Sequence, residues 1–447
     1  MIGYLIYFNV ALAPDVINNS YNHRIDNQEQ KVIRGDIVAS DGTVLATTEE
    51  DENGNATRVY PFDNLYSHVL GLSGEVKSGL ESSENFYLLS GTDNIFENLT
   101  NDITGEKAMG NTVVTTLVPA LQQAASEALG TRKGAVVAMD PSTGKVLAMV
   151  SKPDYNPNKA LEEYEEWLTY DTADSVLLNR ATQGQYPPGS TFKIITALEY
   201  IREYADYESY SFDCTGSAYV EGGTSIPCFN NTVHGHETLK TAFANSCNSA
   251  FSTLGLMLNP ASFRNLCNTF MFNSNLPIGI EYSSSSFTLD GTSGVSEIQE
   301  TSIGQGKTMI SPIHNLMIAA SVANNGVMMS PMLVDHIESA SGSVVEQYNP
   351  TSCATVMTED EAAVLTDYMR AVVTEGTGNS FRYASYDVAG KTGSAQYDDT
   401  ENYHSWFVGF APADDPKIAI CVIIEGVKSG YTSAQQVAKP VLDTFFK

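Results

Sequence analysis

The 447-residue chain is poor in basic side chains. Only 24 lysines and arginines stand against 53 aspartates and glutamates, and the formal net charge is −29. Binding to a phosphate backbone needs clustered cationic side chains, so this deficit argues against a nucleic-acid partner. The length predicts two or three domains, each large enough to bury a core of its own.

The sequence also lacks a long hydrophobic run. The only candidate, residues 1–13, is mostly apolar and uncharged, but a bilayer-spanning helix needs about 20 such residues. A secretory signal normally begins with lysine or arginine, and this segment has neither. We interpret residues 1–13 as the outer end of a partial membrane anchor, followed by a polar linker at 14–30. An atypical signal and a packed N-terminal helix are the alternatives.

Cysteines are few, and they form no dense pattern: Cys214, Cys228, Cys247, Cys267, Cys353 and Cys421. Cys214 and Cys228 flank a turn-like stretch and could close a small loop, which would stabilise the fold by roughly 3 kcal/mol in the chain-entropy model. A zinc site that adds His234 and His236 is disfavoured, because the cysteine spacing is far wider than in short Cys knuckles. The simplest interpretation is buried free thiols, and no metal or cofactor is expected.

What the sequence does contain is a rigid turn that leads into a helix. Pro187, Pro188 and Gly189 precede Ser190, and the run at 192–201 predicts the helix. Ser190 then lies in the first helical turn, where unpaired backbone N–H groups favour a developing alkoxide. The lysine three residues later, Lys193, shares its helical face. An amine of lowered pKa can take the proton of a serine hydroxyl and so make it a nucleophile.

The remaining pattern predicts an α+β fold. The Asp41-Gly42 pair between two apolar runs indicates a hairpin, and residues 131–134 indicate a domain boundary. Two continuous apolar runs on either side of 141–144 predict a second hairpin, buried on both faces. Three later strands, at 388–395, 406–411 and 418–424, are expected to complete that sheet. Helices are predicted at 119–129, 161–167, across 243–251, at 312–324, at 359–373 and at 434–446, the last with a kink at Pro440.

Three short motifs stand in one order within the second half of this pattern. They are Ser190-x-x-Lys193, Ser246-x-Asn248 and Lys391-Thr392-Gly393-Ser394. The set resembles the motifs of penicillin-binding proteins, specifically the monofunctional class B D,D-transpeptidases. Asn179-Arg180-Ala181 before the serine and the Arg34-Gly35 hairpin also resemble this family. The last motif departs from it by one residue, since threonine is more usual at the position of Ser394.

The resemblance implies a transpeptidase fold in which helices flank a central antiparallel sheet, with a smaller N-terminal pedestal domain. It divides the chain into a partial anchor at 1–13, a pedestal or dimerisation-like domain at 14–132 and a transpeptidase domain at 133–447. It also implies a place at the cell membrane, with the catalytic domain on the extracytoplasmic side. The implied partners are stem peptides ending in D-Ala-D-Ala, β-lactam antibiotics and a membrane glycan polymerase.

The family's chemistry is acyl transfer that cross-links peptidoglycan stem peptides. By resemblance, Ser190 attacks the D-Ala-D-Ala amide, Lys193 takes its proton and Ser246 relays a proton to the departing D-Ala. The side chain of Asn248 is expected to hold the substrate amide and to orient Lys193. The second amine, Lys391, is expected to remain a cation that keeps Lys193 neutral by repulsion.

The same resemblance places the terminal carboxylate of the substrate on Lys391, Thr392, Gly393 and Ser394. The backbone N–H groups of Ser190 and Ser394, or its neighbour, are expected to form the oxyanion hole. His404 is interpreted as structural, and residues 375–378 as a connection that borders the cleft. The alternatives are a serine β-lactamase or D,D-carboxypeptidase, in which water resolves the acyl-enzyme, and a non-catalytic β-lactam sensor. The Glu-x-x-Leu-Asn string of class A β-lactamases is absent.

Overall fold

The computed structural model describes residues 32–91, 107–170, 174–396, 402–428 and 432–447, so the predicted anchor and linker lie outside it. Its strands are β1 Val32–Ile33, β2 Ile37–Val38, β3 Val44–Glu50, β4 Ala56–Val59, β5 Ala108–Met109, β6 Thr112–Thr115, β7 Gly134–Met139, β8 Val146–Lys152, β9 Ser211–Cys214, β10 Ser217–Ala218, β11 Ile226–Pro227, β12 Gly235–Thr238, β13 Val327–Met329, β14 Val334–Glu338, β15 Val344–Gln347, β16 Ser352–Thr355, β17 Ala389–Gln396, β18 Tyr403–Ala411 and β19 Ile418–Val427. Its α-helices are α1 Ser67–Leu70, α2 Gly79–Ser83, α3 Asn85–Leu88, α4 Pro119–Leu129, α5 Ala160–Trp167, α6 Lys193–Glu203, α7 Leu239–Ala244, α8 Asn248–Gly255, α9 Pro260–Thr269, α10 Val295–Ser302, α11 Pro312–Ala323, α12 Glu359–Thr374 and α13 Ala434–Phe445. Within these described ranges, none of the helices has the length and apolar character needed to cross a bilayer.

The predicted central sheet is confirmed. Its five strands lie in the order β17-β18-β19-β7-β8, and each neighbouring pair is antiparallel. Alternate residues of β7 and β19 enter two different hydrophobic clusters. Val137 and Cys421 pack on one face, and Val136 and Val422 pack on the other. The sheet is therefore buried on both sides, as its uninterrupted apolar runs predicted.

Helices cover the two faces of this sheet. Every residue of α11 is buried, and this helix packs against β7, β18 and β19. On the opposite face, α4 and α13 contact each other and the sheet. The bounds of α4 agree with the prediction, because Pro119 begins it and Gly130, with a φ of +63°, ends it. The last helix, α13, continues through Pro440.

A second sheet of six strands lies in the N-terminal region, in the order β15-β14-β6-β2-β3-β4. Its strands β2 and β3 form the predicted hairpin around Gly42, whose φ is +84°. Its strands β14 and β15, however, come from far along the chain, and β14 pairs with β6. The sheet therefore joins residues from both sides of the predicted division at residue 132. No local pattern indicates such a long-range pairing.

A buried ion cluster holds the N-terminal region together. The Glu81 carboxylate accepts hydrogen bonds from Arg34 Nε at 2.6 Å and from Arg58 Nε at 2.7 Å. The Arg34 guanidinium also donates to Asn85 Oδ1 at 2.6 Å. Two arginines sharing one buried carboxylate satisfy the charge that would otherwise be costly away from water.

Candidate active site

The serine predicted as the nucleophile lies at the start of the helix that carries the predicted base. Residues Gly189–Phe192 form a 3-10 turn that runs directly into α6. Ser190 keeps 8% of its surface exposed, whereas Lys193 is fully buried. The turn thus offers a hydroxyl that a substrate can approach and an amine that is shielded from water.

The central sheet and α11 fix this turn. Trp406 Nε1 on β18 donates a hydrogen bond to Pro187 O at 3.0 Å. Thr191 Oγ1 donates to Pro188 O at 2.8 Å, and Asn315 Nδ2 on α11 donates to Thr191 Oγ1 at 3.0 Å. No local pattern indicates that Trp406 or Asn315 supports the serine, because each acts from a distant element. A turn held from two sides keeps Ser190 in one position for attack.

Strand β17 passes directly beside the same turn. A Cβ atom added to Gly393 would lie 3.1 Å from Thr191 Cγ2, and one added to Gly189 would lie 2.9 Å from Ser394 O. Glycine is therefore required at position 189, where φ is +54°, and a larger residue at 393 would crowd the turn. Along β17, Thr392 and Ser394 are accessible, whereas Gly393 is buried.

The second motif lies at a break in the predicted helical segment across 243–251. Helix α7 ends at Ala244 and α8 begins at Asn248, so the prediction of a continuous segment was wrong. The break centres on Ser246, whose φ of +57° is in the left-handed region that non-glycine residues rarely adopt. Such strained residues cluster at functional sites. Here the turn presents both the carbonyl and the hydroxyl of Ser246.

The two motif lysines converge on this serine. Lys193 Nζ donates to Ser246 O at 2.8 Å and to Asn248 Oδ1 at 2.8 Å, and lies 3.4 Å from Ser246 Oγ. Lys391 Nζ donates to Ser246 Oγ at 2.9 Å and to Thr392 O at 3.1 Å. The hydroxyl of Ser246 therefore touches both amines, and side chains from all three motifs meet in one place. The predicted orientation of Lys193 by Asn248 is present as a direct hydrogen bond.

The Ser190 hydroxyl makes no hydrogen bond to any residue that the structure describes, Lys193 included. The amine is held instead by the Ser246 carbonyl and the Asn248 amide oxygen. A neutral amine has two N–H bonds and one lone pair. Two acceptors can therefore occupy both N–H groups of Lys193 and leave its lone pair available for a proton.

Burial makes the neutral form of Lys193 accessible. Removal from water lowers the pKa of Lys193 to about 7, although the nearby Cys247 and Cys228 act in the opposite direction. Burial also lowers the pKa of Lys391 well below its usual value, and repulsion from Lys193 lowers it further. Burial is thus the main cause of the lowered pKa of Lys193, and the expected role of Lys391 as a repelling cation stays a prediction. Two ammonium groups this close do not both stay protonated.

A pH dependence follows from the lowered pKa of Lys193. The neutral amine is the form that can accept a proton, so its population rises with pH and levels off above about 7. We expect the rate constant for covalent labelling by a penicillin to rise roughly tenfold per pH unit below that value and to reach a plateau above it. Stopped-flow or quenched labelling measures it, with circular dichroism as the control for folding. A rate that stays constant across this range would contradict the prediction.

Two further sequence predictions concern the rim of the site. Thr377 lies in the segment 375–378 expected to border the cleft, and its hydroxyl is 2.6 Å from the hydroxyl of Thr392. His404 is buried on β18 with its ring edge-on to Tyr186, at 5.2 Å between ring centroids. The first contact places the segment beside the third motif. The second agrees with a packing role for the histidine.

Gly304 supports the nucleophile turn from a third side, and no sequence signal indicates it. Its carbonyl accepts a hydrogen bond from Gly189 N at 2.8 Å. Its φ is +76°, and an added Cβ would lie 2.0 Å from Gly189 O. Replacement by alanine requires either that residue or the turn to move.

We therefore expect Gly304→Ala to lower the free energy of unfolding by more than about 3 kcal/mol, through backbone strain together with the clash. The matched control is Gly306→Ala. It has a similar φ of +74°, but the nearest atom is a side-chain oxygen of Glu300 at 3.3 Å. The control should lose only about 1–2 kcal/mol, the cost of the left-handed backbone alone. Chemical denaturation measures both, and equal losses would refute the proposed contact.

The sequence profile of the penicillin binding protein transpeptidase domain matches residues 134–443. This chain belongs to the penicillin-binding protein transpeptidase family. A second profile, the dimerisation domain of penicillin binding protein A, matches residues 34–113. The resemblance drawn from the three motifs is thereby confirmed.

Named relatives in this family cover most of the chain. The peptidoglycan D,D-transpeptidase PbpA of Mycolicibacterium smegmatis is 32% identical in an alignment 429 residues long, which covers 90% of this chain and 86% of the relative. The peptidoglycan D,D-transpeptidase MrdA of Acinetobacter baumannii is 29% identical in an alignment 441 residues long, which covers 87% of this chain and 66% of the relative.

Solved structures of family members are similar over nearly the whole described fold. The D,D-transpeptidase domain of a peptidoglycan glycosyltransferase from Eggerthella lenta has a TM-score of 0.84 at 31% identity, covering 93% of this chain and 98% of its own. The imipenem acyl-enzyme complex of penicillin-binding protein A from M. tuberculosis also has a TM-score of 0.84, at 28% identity, covering 94% and 100%. The predicted fold, an α+β transpeptidase domain with a smaller N-terminal domain, is confirmed.

Proposed function

We propose that this protein is a peptidoglycan D,D-transpeptidase that cross-links stem peptides through a serine acyl-enzyme and is acylated by β-lactams. The observation that carries the proposal is the position of the Ser246 hydroxyl, which touches Lys193 and Lys391 beside the Ser190 turn. Family membership supports it, as do the relatives named peptidoglycan D,D-transpeptidase.

In the first step, Ser190 Oγ attacks the carbonyl carbon of the penultimate D-Ala. The Oγ–C bond forms while the Oγ proton passes to the neutral amine of Lys193, whose lowered pKa makes it a base near neutral pH. The negative charge then lies on the former carbonyl oxygen. The backbone N–H groups of Ser190 and of Ser394, or its neighbour, are the proposed donors to it, because β17 runs beside the turn at this point.

In the second step, the C–N bond to the terminal D-Ala breaks and its nitrogen takes a proton. Ser246 is the proposed relay. Its hydroxyl lies 3.4 Å from Lys193 Nζ and 2.9 Å from Lys391 Nζ, so it can receive a proton from one amine while passing its own to the leaving group. The products are an ester on Ser190 and free D-Ala. An amine from a second stem peptide then attacks the ester, which forms the cross-link and returns Ser190.

The terminal carboxylate of the donor is proposed to bind at the accessible face of β17. Thr392 and Ser394 supply hydroxyl donors there, Gly393 permits the close approach of the nucleophile turn, and Lys391 contributes positive charge when protonated. Asn248 is proposed to hold the substrate amide through its side-chain nitrogen while its oxygen holds Lys193. In this structure that nitrogen donates to Pro227 O at 3.1 Å, a bond that substrate would have to share or replace.

We further propose the cellular arrangement that the family implies. Residues 14–132 act as a pedestal or dimerisation-like domain and residues 133–447 as the transpeptidase domain, with β14 and β15 reaching back to join them. Residues 1–13 belong to a membrane anchor that holds the catalytic domain on the extracytoplasmic side. A membrane glycan polymerase is the proposed partner that supplies new strands for cross-linking.

The test is an aminolysis assay. The purified protein is incubated with an acylated donor peptide that ends in D-Ala-D-Ala and with isotopically labelled glycine as the acceptor amine. The expected product is the donor in which labelled glycine replaces the terminal D-Ala, together with released D-Ala, detected by mass spectrometry. Ser209→Ala is a matched control for replacement of Ser190, because Ser209 also lies in a 3-10 turn but is exposed and outside the three motifs.

Each alternative function predicts a different result in this assay and in a parallel incubation with penicillin. Donor that loses D-Ala but gains only water identifies a D,D-carboxypeptidase. A penicillin adduct that is rapidly released as hydrolysed drug identifies a β-lactamase. A stable penicillin adduct without any reaction of the donor identifies a sensor. Any of these results would overturn the transpeptidase proposal.

A further inference from the structure

Three cysteines and one histidine form a compact cluster behind the second motif. They are Cys214, Cys228, His234 and Cys247, and their ligand atoms all lie within 4.8 Å of one another. The sulfur of Cys228 is 3.7 Å from the sulfurs of both Cys214 and Cys247, and Cys214 Sγ is 3.4 Å from His234 Nδ1. The three cysteines are buried. The catalytic proposal uses none of these four side chains.

Three of these separations are close to those of a tetrahedral zinc site. With Zn–S bonds of about 2.3 Å and a Zn–N bond of about 2.05 Å, neighbouring sulfurs lie about 3.8 Å apart and a sulfur and a nitrogen about 3.6 Å apart. The three distances above fall close to these values. Three thiolates and one imidazole are also a common ligand set of structural zinc, and four protein ligands leave no open position for catalysis.

Short pieces of chain bring the four ligands together from well-separated positions. Cys214 ends β9, which pairs with β12, and His234 immediately precedes β12. Cys228 follows β11, and Cys247 caps the N-terminus of α8. Strands this short bury little apolar surface. A metal that joins four such pieces would stabilise a region that its own secondary structure holds only weakly.

The neighbouring polar groups suit thiolates. The backbone N–H of Ala250 points at Cys247 Sγ at 3.4 Å, and the Ser249 hydroxyl lies 3.3 Å from Cys228 Sγ. Hydrogen bonds of this kind orient metal ligands and offset their charge. By contrast, His236, which the sequence suggested as a ligand, is largely exposed and pairs with Asp213 at 2.9 Å. The alternation along β12 turns it away from the cysteines.

We propose that Cys214, Cys228, His234 and Cys247 bind one zinc ion in a closed structural site that holds the Ser246–Asn248 turn. Cys247 is the middle residue of that turn, and its two neighbours are the residues that contact Lys193. Ser246 adopts the left-handed backbone, which costs energy and needs support from its surroundings. A metal bond at the adjacent residue supplies that support. The inference departs from the expectation of free thiols.

Metal content is the first test, and it is independent of any enzymatic activity. The purified protein is dialysed, and its zinc content is measured by inductively coupled plasma mass spectrometry. We expect one zinc ion per chain. Metal-free protein is then titrated with cobalt(II), whose thiolate charge-transfer absorption reports sulfur ligands. His234→Ala should weaken binding at least about 100-fold, beyond the 10- to 100-fold cost of losing a supporting hydrogen bond. His236→Ala should bind as the parent does.

Results that overturn the site are equally direct. They are a parent protein that takes up neither metal, a Cys214–Cys228 disulfide found by mass in its place, or His234→Ala and His236→Ala with equal affinity. Cys353→Ser removes a half-buried cysteine outside the cluster, and it tests whether losing a thiol elsewhere changes metal binding. Metal binding is measured on the unmutated protein as well, so a variant that fails to fold does not decide whether the site exists.

The effect on the turn is the second test, and it rests on the proposed function. Removing zinc with a chelator should slow penicillin acylation at least about tenfold, and added zinc should restore it, since one misplaced group near the reacting atoms costs this much or more. Bound zinc with unchanged acylation after its removal would disprove the link to the turn. Absent acylation in the zinc-loaded protein would instead disprove the transpeptidase proposal, so the two failures are distinguishable.

Discussion

Replacing Ser190 with alanine is expected to abolish covalent labelling by penicillin. The acyl-enzyme is an ester to Ser190 Oγ, and alanine has no atom that can form it. Loss of the nucleophile in other serine hydrolases lowers kcat by on the order of 10⁶-fold. The fold should be unaffected, because this hydroxyl makes no hydrogen bond within the described residues. Intact-mass measurement after incubation with a labelled penicillin provides the test.

The parent protein should carry one adduct that persists through the assay, and peptide mapping should place it on Ser190. Ser209→Ala should label as the parent does, since this residue is exposed and its hydroxyl donates to nearby Asp206 at 3.2 Å. An adduct that survives Ser190→Ala would place the nucleophile elsewhere. A parent protein that forms no adduct would end the assignment.

Replacing Lys193 is the second change with a large expected effect. Its amine is the proposed base, and a positioned base contributes about 10²–10⁴-fold to a reaction. Its two hydrogen bonds also hold Ser246 and Asn248. We therefore expect Lys193→Ala to reduce the acylation rate constant by at least about 10³-fold, the upper part of that range.

Two variants separate chemistry from packing at this position. Lys193→Met keeps an unbranched side chain in the buried space, and it should be as inactive as Lys193→Ala while filling the cavity that alanine leaves. The methionine variant should stay folded because it fills the buried space, although Ser246 O and Asn248 Oδ1 each lose a hydrogen bond. Lys240→Ala, which breaks an exposed ion pair with Asp367, is the control. Near-normal labelling of both Lys193 variants would show that another group, with Lys391 the nearest candidate, is the base.

Local features of the sequence accounted for much of the fold. Pro119 and Gly130 marked the ends of α4, and Asp41-Gly42 marked the β2–β3 hairpin. The apolar runs of β7 and β19 predicted a sheet buried on both faces. Each of these depends on the residues immediately around it. Proline at a helix start, glycine in a turn and the period of apolar residues act over a few positions only.

Other features depend on residues far apart in the chain, and the sequence did not indicate them. Strand β14 pairs with β6 across about half of the chain, although nothing in its own residues indicates that partner. The predicted helical segment breaks at Ser246, where contacts with two distant lysines accompany a left-handed backbone. Trp406, Asn315 and Gly304 support the site through neighbours that lie on other elements. Long-range packing overrides local propensity at such places.

The cysteine cluster is a second feature that spacing along the chain did not predict. The sequence offered Cys214, Cys228 and two histidines as a disfavoured zinc site, and it assigned Cys247 to the second motif alone. The structure replaces His236 by Cys247 in the cluster, because the strand alternation turns His236 toward Asp213. Ligand spacing along the chain could not reveal this, since the four ligands come from four separate pieces.

By itself, the sequence determined the order and identity of the three motifs, the helix that begins beside Ser190 and the strand that carries Lys391. Those follow from residue type and local period. Only the tertiary structure decided that Lys193 and Asn248, 55 residues apart, and Lys391 and Ser246, 145 residues apart, meet in one buried place. The chemistry depends on that meeting, because an exposed lysine keeps its proton at neutral pH and a buried one releases it.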